Sequence, residues 1–380
     1  MKIVHVVTLI ARDGAFGGPL RVALNQVQEL RARGHAVELV ACWCGKLPAP
    51  FEVDGIPVRA FRAHQYVPGA GFSGLYSPGL QRWLKNNLST ADVLHVHAGR
   101  DLISLGALVR ARAASCPTVV QTHGMIGLDR RLRARVLDRL AVRRLVGRAR
   151  RHLVLTKQEE SELPHVLRRH ALRTYRIRNG VTSRPPRTYA LREPVNVLFC
   201  ARLQERKRPV AFVEMAGLVG EASPATFSIV GPDEGELLRV QSRIAELDVG
   251  TKVKYEGALP YDRVLTRMEQ ATIYVLPSVD EPFPMTLLEA MSIGLACICT
   301  DSCGISDDVR RAGAAIVTDG TPEKMAEAVS ELLRNAEQRT RIGERAQAMI
   351  SEQFSIAAVV DSLEAMYESV LSEYDHPAAA

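Results

Sequence analysis

Two glutamates, Glu281 and Glu289, stand eight positions apart directly after an apolar run from Ile273 to Leu276. The run predicts a buried strand, and Pro284 predicts the first residue of a helix that follows it. At about 1.5 Å of rise per residue, Glu289 lies only about 7 to 8 Å along that helix from Pro284. Helical side chains tilt toward the N-terminus, so both carboxylates can reach the space in front of the helix.

The start of this predicted helix carries partial positive charge. The amides of Met285, Thr286 and Leu287 have no partners within the helix, and the helix dipole adds to their field. An anion flanked by hydroxyls, such as the diphosphate of a nucleotide sugar, suits this place. In the alternative interpretation, Glu289 is a solvated helix residue and Glu281 an ordinary loop acid.

Cations that suit the same ligand follow a second apolar run, Val195 to Phe199. Arg202 and Lys207 can neutralise its diphosphate, Arg202 through its guanidinium fork and Lys207 as a point charge. Arg206 and Arg208 flank Lys207, so the sequence leaves open which of the three binds phosphate. No Asp-x-Asp motif ends a strand in a plausible metal position. We therefore predict a site without metal, in which these cations do the work of magnesium.

Histidines gather at two predicted strand ends, with His95 and His97 in one strand and His123 at the end of another. His95 and His97 are two positions apart on a strand and so face the same side. A zinc site is one interpretation, but Asp92 and Asp101 flank the pair without a recognised ligand spacing, and no thiol is near. Hydrogen-bonded support and contact with substrate are the two other roles.

Paired glycines, Gly17 and Gly18, precede a predicted helix from Pro19 to Arg33. Such glycines let the backbone approach a phosphate or a sugar closely, although a purely structural turn is the alternative. The spacing is not Gly-x-Gly-x-x-Gly, and no acid ends the second predicted strand to hold a ribose. A dinucleotide-dependent dehydrogenase is therefore disfavoured.

Short apolar runs alternate with helical patterns along the 380 residues, which predicts parallel, doubly wound sheets whose ligands bind beyond the carboxyl ends of the strands. An aperiodic stretch rich in Pro and Arg predicts a linker. We expect one Rossmann-like domain at 1–183, the linker at 184–194, a second Rossmann-like domain at 195–355 and a last helix at 356–380. Strands are predicted at Lys2 to Val7, Ala36 to Ala41, Val93 to His97, Thr118 to Thr122, Leu153 to Thr156, Val195 to Phe199, Thr226 to Val230, Lys252 to Tyr255, Ile273 to Leu276, Ala296 to Thr300 and Ala315 to Val317.

Together these motifs resemble those of the retaining glycosyltransferases of family four, which have the two-domain GT-B fold. The stretch from Glu281 to Glu289 is similar to the family's E-x7-E motif. The stretch from Arg202 to Lys207 is similar to Gly-Arg-Leu-x3-Lys-Gly, with Ala201 and Arg208 in place of the two glycines. His123 with Gly124 is similar to Thr-His-Gly, and the glycine loop that ends at Arg21 to Gly-Gly-x-x-Arg.

The resemblance implies an α/β GT-B enzyme that moves a hexose or an N-acetylhexosamine from a UDP or GDP sugar to a hydroxyl, without a cofactor. Glu281 would position the donor sugar, beside His123, and Glu289 would hold the ribose. The diphosphate would be bound by Arg202, by Lys207 and by the amides of Met285 and Thr286. Gly17, Gly18 and His97 would line the cleft for donor and acceptor.

Family relatives build cell-surface polysaccharides and glycolipids, so the resemblance also implies a saccharide or lipid-linked acceptor. A sugar-nucleotide epimerase of the same fold is one alternative function. A non-catalytic protein that binds nucleotide sugars is another. Release of free nucleotide without an acceptor would point to the epimerase.

A basic segment from Arg130 to Arg151 contains ten arginines among twenty-two residues, in a chain of net charge +7. Apolar residues recur in it at helical spacing, which predicts an amphipathic helix with a basic face. The helix could lie against an anionic membrane, bind a phosphate-rich acceptor or be solvated. Nucleic acid is disfavoured because no aromatic residues interleave the arginines. The apolar residues are Leu132, Val136, Leu137, Leu140 and Leu145.

The chain begins in a strand pattern without a basic leader or cleavage site, and no apolar run approaches about 18 residues. We therefore expect a cytoplasmic protein, or one that is peripheral on the inner face of the cell membrane. Seven cysteines without a Cys-x2-Cys pair predict reduced thiols.

Overall fold

The structure is a computed structural model that describes residues 1–10, 17–45, 49–129, 131–169, 171–185, 194–219 and 225–375. The described residues form two compact units, the first within 1–10, 17–180 and 356–375 and the second within 181–355. Each unit has its own hydrophobic core. Most of the predicted linker, and the part of the glycine loop that precedes Gly17, lie outside the described residues.

The first unit is built on parallel strands that alternate with helices. Its described strands are β1 (Lys2–Ile10), β2 (Ala36–Trp43), β3 (Glu52–Val53), β4 (Ile56–Pro57), β5 (Arg59–Arg62), β6 (His64–Gln65), β7 (Leu75–Tyr76), β8 (Val93–His97), β9 (Thr118–Gln121), β10 (Arg151–Val154) and β11 (Thr174–Arg176). Seven of them form one sheet in the order β11-β10-β9-β8-β1-β2-β5, and every neighbouring pair is parallel. The strand order therefore reverses between β1 and β8.

The second unit repeats this arrangement with six strands. They are β12 (Val195–Cys200), β13 (Ala225–Val230), β14 (Val253–Gly257), β15 (Ile273–Leu276), β16 (Ala296–Thr300) and β17 (Ile316–Thr318). Their order is β14-β13-β12-β15-β16-β17, all parallel, and it reverses between β12 and β15. In such sheets the reversal opens a crevice beyond the carboxyl ends of the two strands, where ligands bind.

Helices connect most of the parallel strands, as parallel crossovers require, and three more follow β17. They are α1 (Gly17–Ala32), α2 (Pro78–Asn87), α3 (Leu102–Ala113), α4 (Leu132–Leu137), α5 (Arg143–Leu145), α6 (Lys157–Leu167), α7 (Pro209–Leu218), α8 (Leu237–Glu246), α9 (Tyr261–Gln270), α10 (Met285–Ile293), α11 (Ser306–Ala312), α12 (Pro322–Arg334), α13 (Ala336–Met349) and α14 (Ile356–Asp375). The last of these, α14, packs on α1 in the first unit.

Local sequence explains where these elements begin. The carboxylate of Asp101 caps α3 by accepting hydrogen bonds from the amides of Ile103 and Ser104, at 3.0 and 2.8 Å. β8, β15 and β16 are buried at every position, as expected for central strands of a parallel sheet. Their bounds agree with the prediction residue by residue.

Two edge strands of the first sheet, β5 and β11, were not predicted. Their sequences, Arg-Ala-Phe-Arg and Thr-Tyr-Arg, are polar and short, and none of their residues is buried. An edge strand has only one neighbour in the sheet and needs no continuous apolar run, so the hydrophobic pattern did not identify it.

The basic segment is helical over 132–148, with irregular turns, and not over the whole predicted range from Arg130 to Arg151. α4 runs into a π-helical turn at Asp138–Val142, then α5 and a 3-10 turn at Val146–Arg148, and Arg151 opens β10. Arg130 itself lies outside the described residues. Arg100 holds the π-turn in place, because its guanidinium donates to both carboxylate oxygens of Asp138, at 2.8 and 3.1 Å.

The apolar residues of this segment also divide between two faces. Val142 and Val146 are buried in the core, whereas Leu132, Val136 and Leu140 are 73%, 48% and 69% exposed. Within the described ranges, no helix combines the length and the apolar character needed to cross a membrane.

Candidate functional site

In the second unit, an ion pair forms beyond the reversal between β12 and β15. Lys207 follows β12, Glu281 follows β15, and the Lys207 ammonium donates a hydrogen bond to the Glu281 carboxylate. The two residues are only 9% and 6% exposed. Burial lowers the pKa of Lys207, and the neighbouring Glu281 carboxylate opposes this shift. The pairing therefore compensates for the burial of two charges.

The backbone around this pair adopts unusual conformations. Asp280 and Arg208 have φ angles of 48° and 52°, in the left-handed region that favours glycine. The amide of Gly304 donates to the Glu281 carbonyl at 2.8 Å. A Cβ at Gly304 would lie 2.0 Å from the Pro282 carbonyl oxygen, so only glycine fits there. Strained positions that the surroundings hold in place often mark functional sites.

The three neighbouring cations have different partners. Arg208 donates to the Gly320 carbonyl at 2.7 Å, and Arg206 donates to the Asp280 carbonyl at 3.1 Å. Arg206 also lies 3.3 Å from the Glu281 carboxylate. Lys207 is the cation whose ammonium is bound to Glu281 itself.

Arg202, the other predicted phosphate cation, forms a bidentate pair with Glu234. Its Nη1 lies 2.9 and 3.0 Å from the two carboxylate oxygens. The side chains of Arg202 and Glu234 are 32% and 28% exposed, so water weakens their attraction. The sequence reasoning missed Glu234, which lies 32 positions away and belongs to no motif.

The N-terminus of α10 lies a few residues after Glu281. Pro284 is the residue before the helix, not its first residue, and its carbonyl accepts from the amides of Leu287 and Leu288 at 3.1 Å. The amide of Leu287 therefore has a partner, contrary to the expectation that it points freely ahead of the helix. The amides of Met285 and Thr286 belong to the first turn, where the helix itself offers no acceptor.

Glu289 is buried in α10 at 4% exposure, which excludes the interpretation of a solvated helix residue. The Tyr261 hydroxyl donates to its carboxylate at 3.0 Å. A buried carboxylate must be hydrogen-bonded to compensate for the loss of water. Glu289 is therefore held in a defined position inside the unit.

In the first unit, the predicted histidines meet at the reversal between β1 and β8. His97 Nδ1 lies 2.8 Å from His123 Nε2, and their rings stack with centroids 5.1 Å apart. His97 Nε2 lies 3.1 Å from Nδ1 of His5, a residue that the sequence reasoning missed. A histidine inside the apolar run Ile3 to Val7 was the available signal, and the structure pairs it with His95 in the strand register.

Tyr367 of α14 joins this cluster. Its hydroxyl lies 2.6 Å from His95 Nδ1 and 3.3 Å from His5 Nε2. His5, His95 and Tyr367 are fully buried, His97 is 1% exposed, and His123 is partly exposed. No local pattern could have placed Tyr367 here, since it lies 272 positions from His95.

Burial keeps these imidazoles uncharged. It lowers the pKa of His5 and of His123 to about 3, and it lowers the pKa of His95 and of His97 well below the ordinary value. Charges on neighbouring histidines would lower the pKa of His95 and of His97 further, because a second proton would repel the first.

Nitrogens of His5, His95 and His97 come within 4.8 Å of one another, a spacing that a metal ion could use. The rings of His95 and His97, however, are stacked with planes only 10° apart. Ligands of one ion direct their lone pairs to a common point, whereas the lone pairs of stacked rings are nearly parallel. Hydrogen bonds to His97 and Tyr367 also occupy ring nitrogens of His5 and His95.

Glu159 fixes the backbone of the turn that carries His123. Its carboxylate accepts hydrogen bonds from the Thr122 hydroxyl, from the Gly124 amide at 2.7 Å and from the Leu155 amide at 2.7 Å. His123 has a φ of 52°, which such bonds must stabilise. Gly17 and Gly18 open α1, and a Cβ at Gly18 would have no atom within 4 Å. Gly18 is thus not required for local packing.

Family models assign the class of protein. Residues 17–180 match the model described as the glycosyl transferase 4-like domain, and residues 188–349 match glycosyl transferases group 1. Between them the two models match most of the chain. The chain thus consists of a glycosyl transferase 4-like domain followed by a domain of the glycosyl transferases group 1.

Solved structures confirm the predicted α/β GT-B fold. Anabaena Alr3699/HepE in complex with UDP and glucose superposes with a TM-score of 0.75 at 17% identity, over 97% of this chain and 100% of that one. Sucrose-phosphate synthase from Thermosynechococcus elongatus gives a TM-score of 0.76 at 15% identity, over 98% of this chain and 100% of that one.

The curated relatives match a smaller share of this chain than the solved structures do. N-acetyl-alpha-D-glucosaminyl L-malate synthase of Bacillus anthracis is 26% identical over 187 residues, which are 49% of this chain and 48% of that protein. Alpha-D-kanosaminyltransferase of Streptomyces kanamyceticus is 25% identical over 328 residues, 79% of this chain and 84% of that protein. The chain spans about half or less of the first relatives that it matches.

Proposed function

We propose that this protein is a retaining glycosyltransferase that moves a hexose or an N-acetylhexosamine from a UDP or GDP sugar to a hydroxyl acceptor. The observation that carries the proposal is the buried Lys207–Glu281 pair beyond the reversal between β12 and β15, next to the N-terminus of α10. That position combines a cation, helix amides and carboxylates, which suit a diphosphate attached to a sugar and a ribose. The matches to two glycosyltransferase domains support it.

In the proposed reaction, the bond between the anomeric carbon and the diphosphate oxygen breaks while the acceptor oxygen bonds to the same face of that carbon. The acceptor proton passes to the departing phosphate oxygen. Glu281 positions the donor sugar hydroxyls, Glu289 holds the ribose, and Lys207 and the first amides of α10 stabilise the charge that develops on the diphosphate. His123 contacts the sugar in this proposal.

Lys207 can serve the diphosphate without losing Glu281. An ammonium has three N–H donors, and the Glu281 carboxylate takes one of them. Glu281 then acts on Lys207 as well as on the sugar, since its charge opposes the lowering of the Lys207 pKa by burial. Arg202 must instead exchange Glu234 for phosphate, and their exposure makes that exchange cost less than about 1 kcal/mol.

A thermal-shift screen against UDP, GDP, ADP and dTDP, with their sugars, tests the donor. The cognate nucleotide should raise the melting temperature by mass action. Arg202→Ala should weaken its binding by about 10- to 1000-fold, because a charge partner of the leaving group is lost. Arg243→Ala is the matched control, since Arg243 in α8 pairs with Glu214 and Glu246. No stabilisation by any of the nucleotides would contradict the proposal.

Product analysis tests the reaction itself. With the donor identified, the anomeric configuration of the product should equal that of the donor. Glu281→Gln should lower turnover far more than it changes nucleotide affinity, the behaviour of a contact that is strongest in the transition state. An inverted product would refute the retaining course, and free nucleotide formed without any acceptor would favour the epimerase.

We further propose that transfer needs neither a divalent metal ion nor a cofactor. Lys207, Arg202 and the first amides of α10 together offer the positive charge that a bound magnesium ion otherwise supplies to a diphosphate. Turnover should therefore persist after exhaustive chelation. Complete loss of turnover, restored by magnesium or manganese, would contradict this.

We also propose that the protein acts on a saccharide or lipid-linked acceptor in cell-surface polysaccharide or glycolipid synthesis, as a cytoplasmic protein peripheral on the inner face of the membrane. The supporting observation is a set of three exposed apolar side chains, Leu132, Val136 and Leu140, in a segment rich in arginine. Apolar side chains of this kind insert between lipids while the arginines meet anionic headgroups.

Vesicle sedimentation tests the membrane contact. Anionic vesicles should bind the protein and neutral vesicles should not, and Leu132→Ser with Leu140→Ser should weaken binding. Leu238→Ser is the matched control, because Leu238 is 79% exposed in the second unit outside this segment. Equal binding to both kinds of vesicle, or no binding, would contradict the membrane contact and indicate that the segment is solvated.

A further inference from the structure

The histidine cluster of the first unit forms one continuous hydrogen-bond chain. In order, its members are His95, Tyr367, His5, His97 and His123. The chain starts in the interior, where His95 is fully buried, and ends at His123, which is partly exposed. Each imidazole is neutral, so each ring has one N–H and one bare nitrogen.

When Tyr367 donates its one hydroxyl hydrogen to a histidine of the chain, only two arrangements are consistent. Each of its four contacts needs one hydrogen, and each of its five members supplies one. If Tyr367 donates to His95, every hydrogen points from His123 toward His95. If Tyr367 donates to His5, every hydrogen points the opposite way. The direction at Tyr367 thus determines which nitrogen of His123 carries a proton.

The two contacts of Tyr367 differ in length, and this difference indicates the direction. The contact with His95 Nδ1 is 2.6 Å, which suits a hydroxyl donor, whereas the contact with His5 Nε2 is 3.3 Å. Tyr367 then donates to His95 and accepts from His5. His5 Nδ1 consequently accepts from His97 Nε2, and His97 Nδ1 accepts from His123 Nε2.

The interior end of the chain is consistent with this direction. In this arrangement His95 Nε2 carries the last proton, and no acceptor among the described residues meets it in full hydrogen-bond geometry. The Gln121 side chain acts on His95 to raise its pKa, against the larger effect of burial, as an acceptor oxygen near an N–H does. A buried N–H without a full partner lowers the stability of the fold. Here only the group at one end of the five linked groups is in that position.

We propose that Tyr367, His5 and His97 are positioning residues that hold His123 in the tautomer with a proton on Nε2 and a bare Nδ1. The backbone of His123 is fixed independently by Glu159. With both ring and backbone fixed, Nδ1 presents a hydrogen-bond acceptor in one direction. A hydroxyl group is the ligand that suits such an acceptor. That this hydroxyl belongs to a sugar rests on the proposed function.

The proposal gives α14 a role beyond packing. Tyr367 brings the only hydroxyl of this five-membered hydrogen-bond chain. A hydroxyl can donate to one histidine while it accepts from another. Phenylalanine at this position would fill the same space and leave His95 and His5 without a common partner. The direction in which the hydrogen bonds of His5, His97 and His123 run would then no longer be determined.

Imidazole NMR of the protein labelled with ¹⁵N-histidine tests this without substrate. His123 should show a protonated Nε2 and a bare Nδ1, and Tyr367→Phe should shift it toward the other tautomer or a mixture. Tyr374→Phe is the matched control, because Tyr374 also lies in α14 but donates to the Ser115 carbonyl at 2.6 Å, outside the chain. It should leave the His123 tautomer unchanged.

Three results would overturn the proposal. They are a protonated Nδ1 of His123 in the unaltered protein, a His123 tautomer that is unchanged in Tyr367→Phe, and zinc found by elemental analysis on His5, His95 and His97. None of these requires activity, so they are independent of whether the transfer reaction is correct. Given a donor, Tyr367→Phe should also lower kcat by about threefold or more with a smaller change in KM, because fewer molecules hold the competent tautomer.

Discussion

In the first unit, the strand order reverses between β1 and β8, and the side chains there are buried, neutral histidines. In the second unit, it reverses between β12 and β15, and the side chains beyond are a buried lysine and glutamate joined as an ion pair. The two sheets share a topology but solve the burial of polar groups differently. One removes charge by shifting pKa values, and the other keeps charge by pairing it.

This difference has a chemical consequence. A neutral chain can only direct hydrogen bonds, so it suits uncharged hydroxyl groups. An ion pair with spare N–H donors can also compensate for negative charge on a ligand. Two sheets of the same topology can therefore place different groups at equivalent positions, neutral imidazoles in one and an ion pair in the other.

The largest effect is expected when the ion pair is broken. Lys207→Ala leaves the Glu281 carboxylate buried without its main partner and should lower the free energy of unfolding by about 3–5 kcal/mol. Replacing both residues with apolar ones, as in Lys207→Met with Glu281→Leu, should recover most of this loss. Urea unfolding followed by fluorescence measures both. A single variant as stable as the unaltered protein would show that the pair is not buried as described.

The next effect is the loss of stability that acid should cause through the buried neutral histidines. Each folded pKa is depressed, so the unfolded chain binds protons first as pH falls below about 6.5, and stability is lost. Between pH 7.5 and pH 5, each such histidine should cost about 2 kcal/mol. This contribution is fully present above the unfolded pKa and falls until the folded pKa is reached, which for His5 is about 3.

The acid effect can be assigned with one variant. His95→Asn keeps a hydrogen-bonding atom near the position of Nδ1 and should reduce the loss between pH 7.5 and pH 5 by about 2 kcal/mol. His64→Asn serves as control, since His64 is exposed on β6, and its loss should equal that of the unaltered protein. Urea unfolding at several pH values gives both numbers. Equal pH slopes in His95→Asn and the unaltered protein would contradict a neutral His95.

An effect of similar size is expected at Glu159. Glu159→Gln replaces one carboxylate oxygen by an NH₂ group that faces N–H or O–H donors, and should cost about 1.5–3 kcal/mol. Thermal melts measure the loss. Glu162→Gln on the same helix, α6, is the matched control. Comparable melting temperatures for the two variants would show that the turn at His123 does not depend on Glu159.

The smallest effect is expected at Arg202. Its pair with Glu234 is about a third exposed, so Arg202→Ala should change the free energy of unfolding by less than about 1 kcal/mol. The same urea titrations measure this, alongside Lys207→Ala. A loss as large as that of Lys207→Ala would mean that Arg202 stabilises the unit and would weaken its assignment to nucleotide binding.

Much of the fold was predictable because hydrophobic pattern reports burial. Strands that are buried on both faces, such as β8 and β15, have continuous apolar runs and were predicted with the observed bounds. The edge strands β5 and β11 have one neighbour each and carry no such pattern. In the basic segment, spacing indicated a helix, but it does not show which apolar residues meet the core and which meet solvent.

Motif spacing and apolar runs are local properties, so the chemical groups near the ends of the central strands could be read from the sequence alone. They include Lys207, Glu281 and His123, which follow strands, His97, which ends one, and Glu289, which lies in the helix after β15. Their partners depend on the tertiary structure, because they lie far along the chain: Lys207 is 74 positions from Glu281, and Tyr367 is 362 positions from His5. Partners set pKa values, tautomers and available donors, and they depend on distances in space that no local pattern encodes.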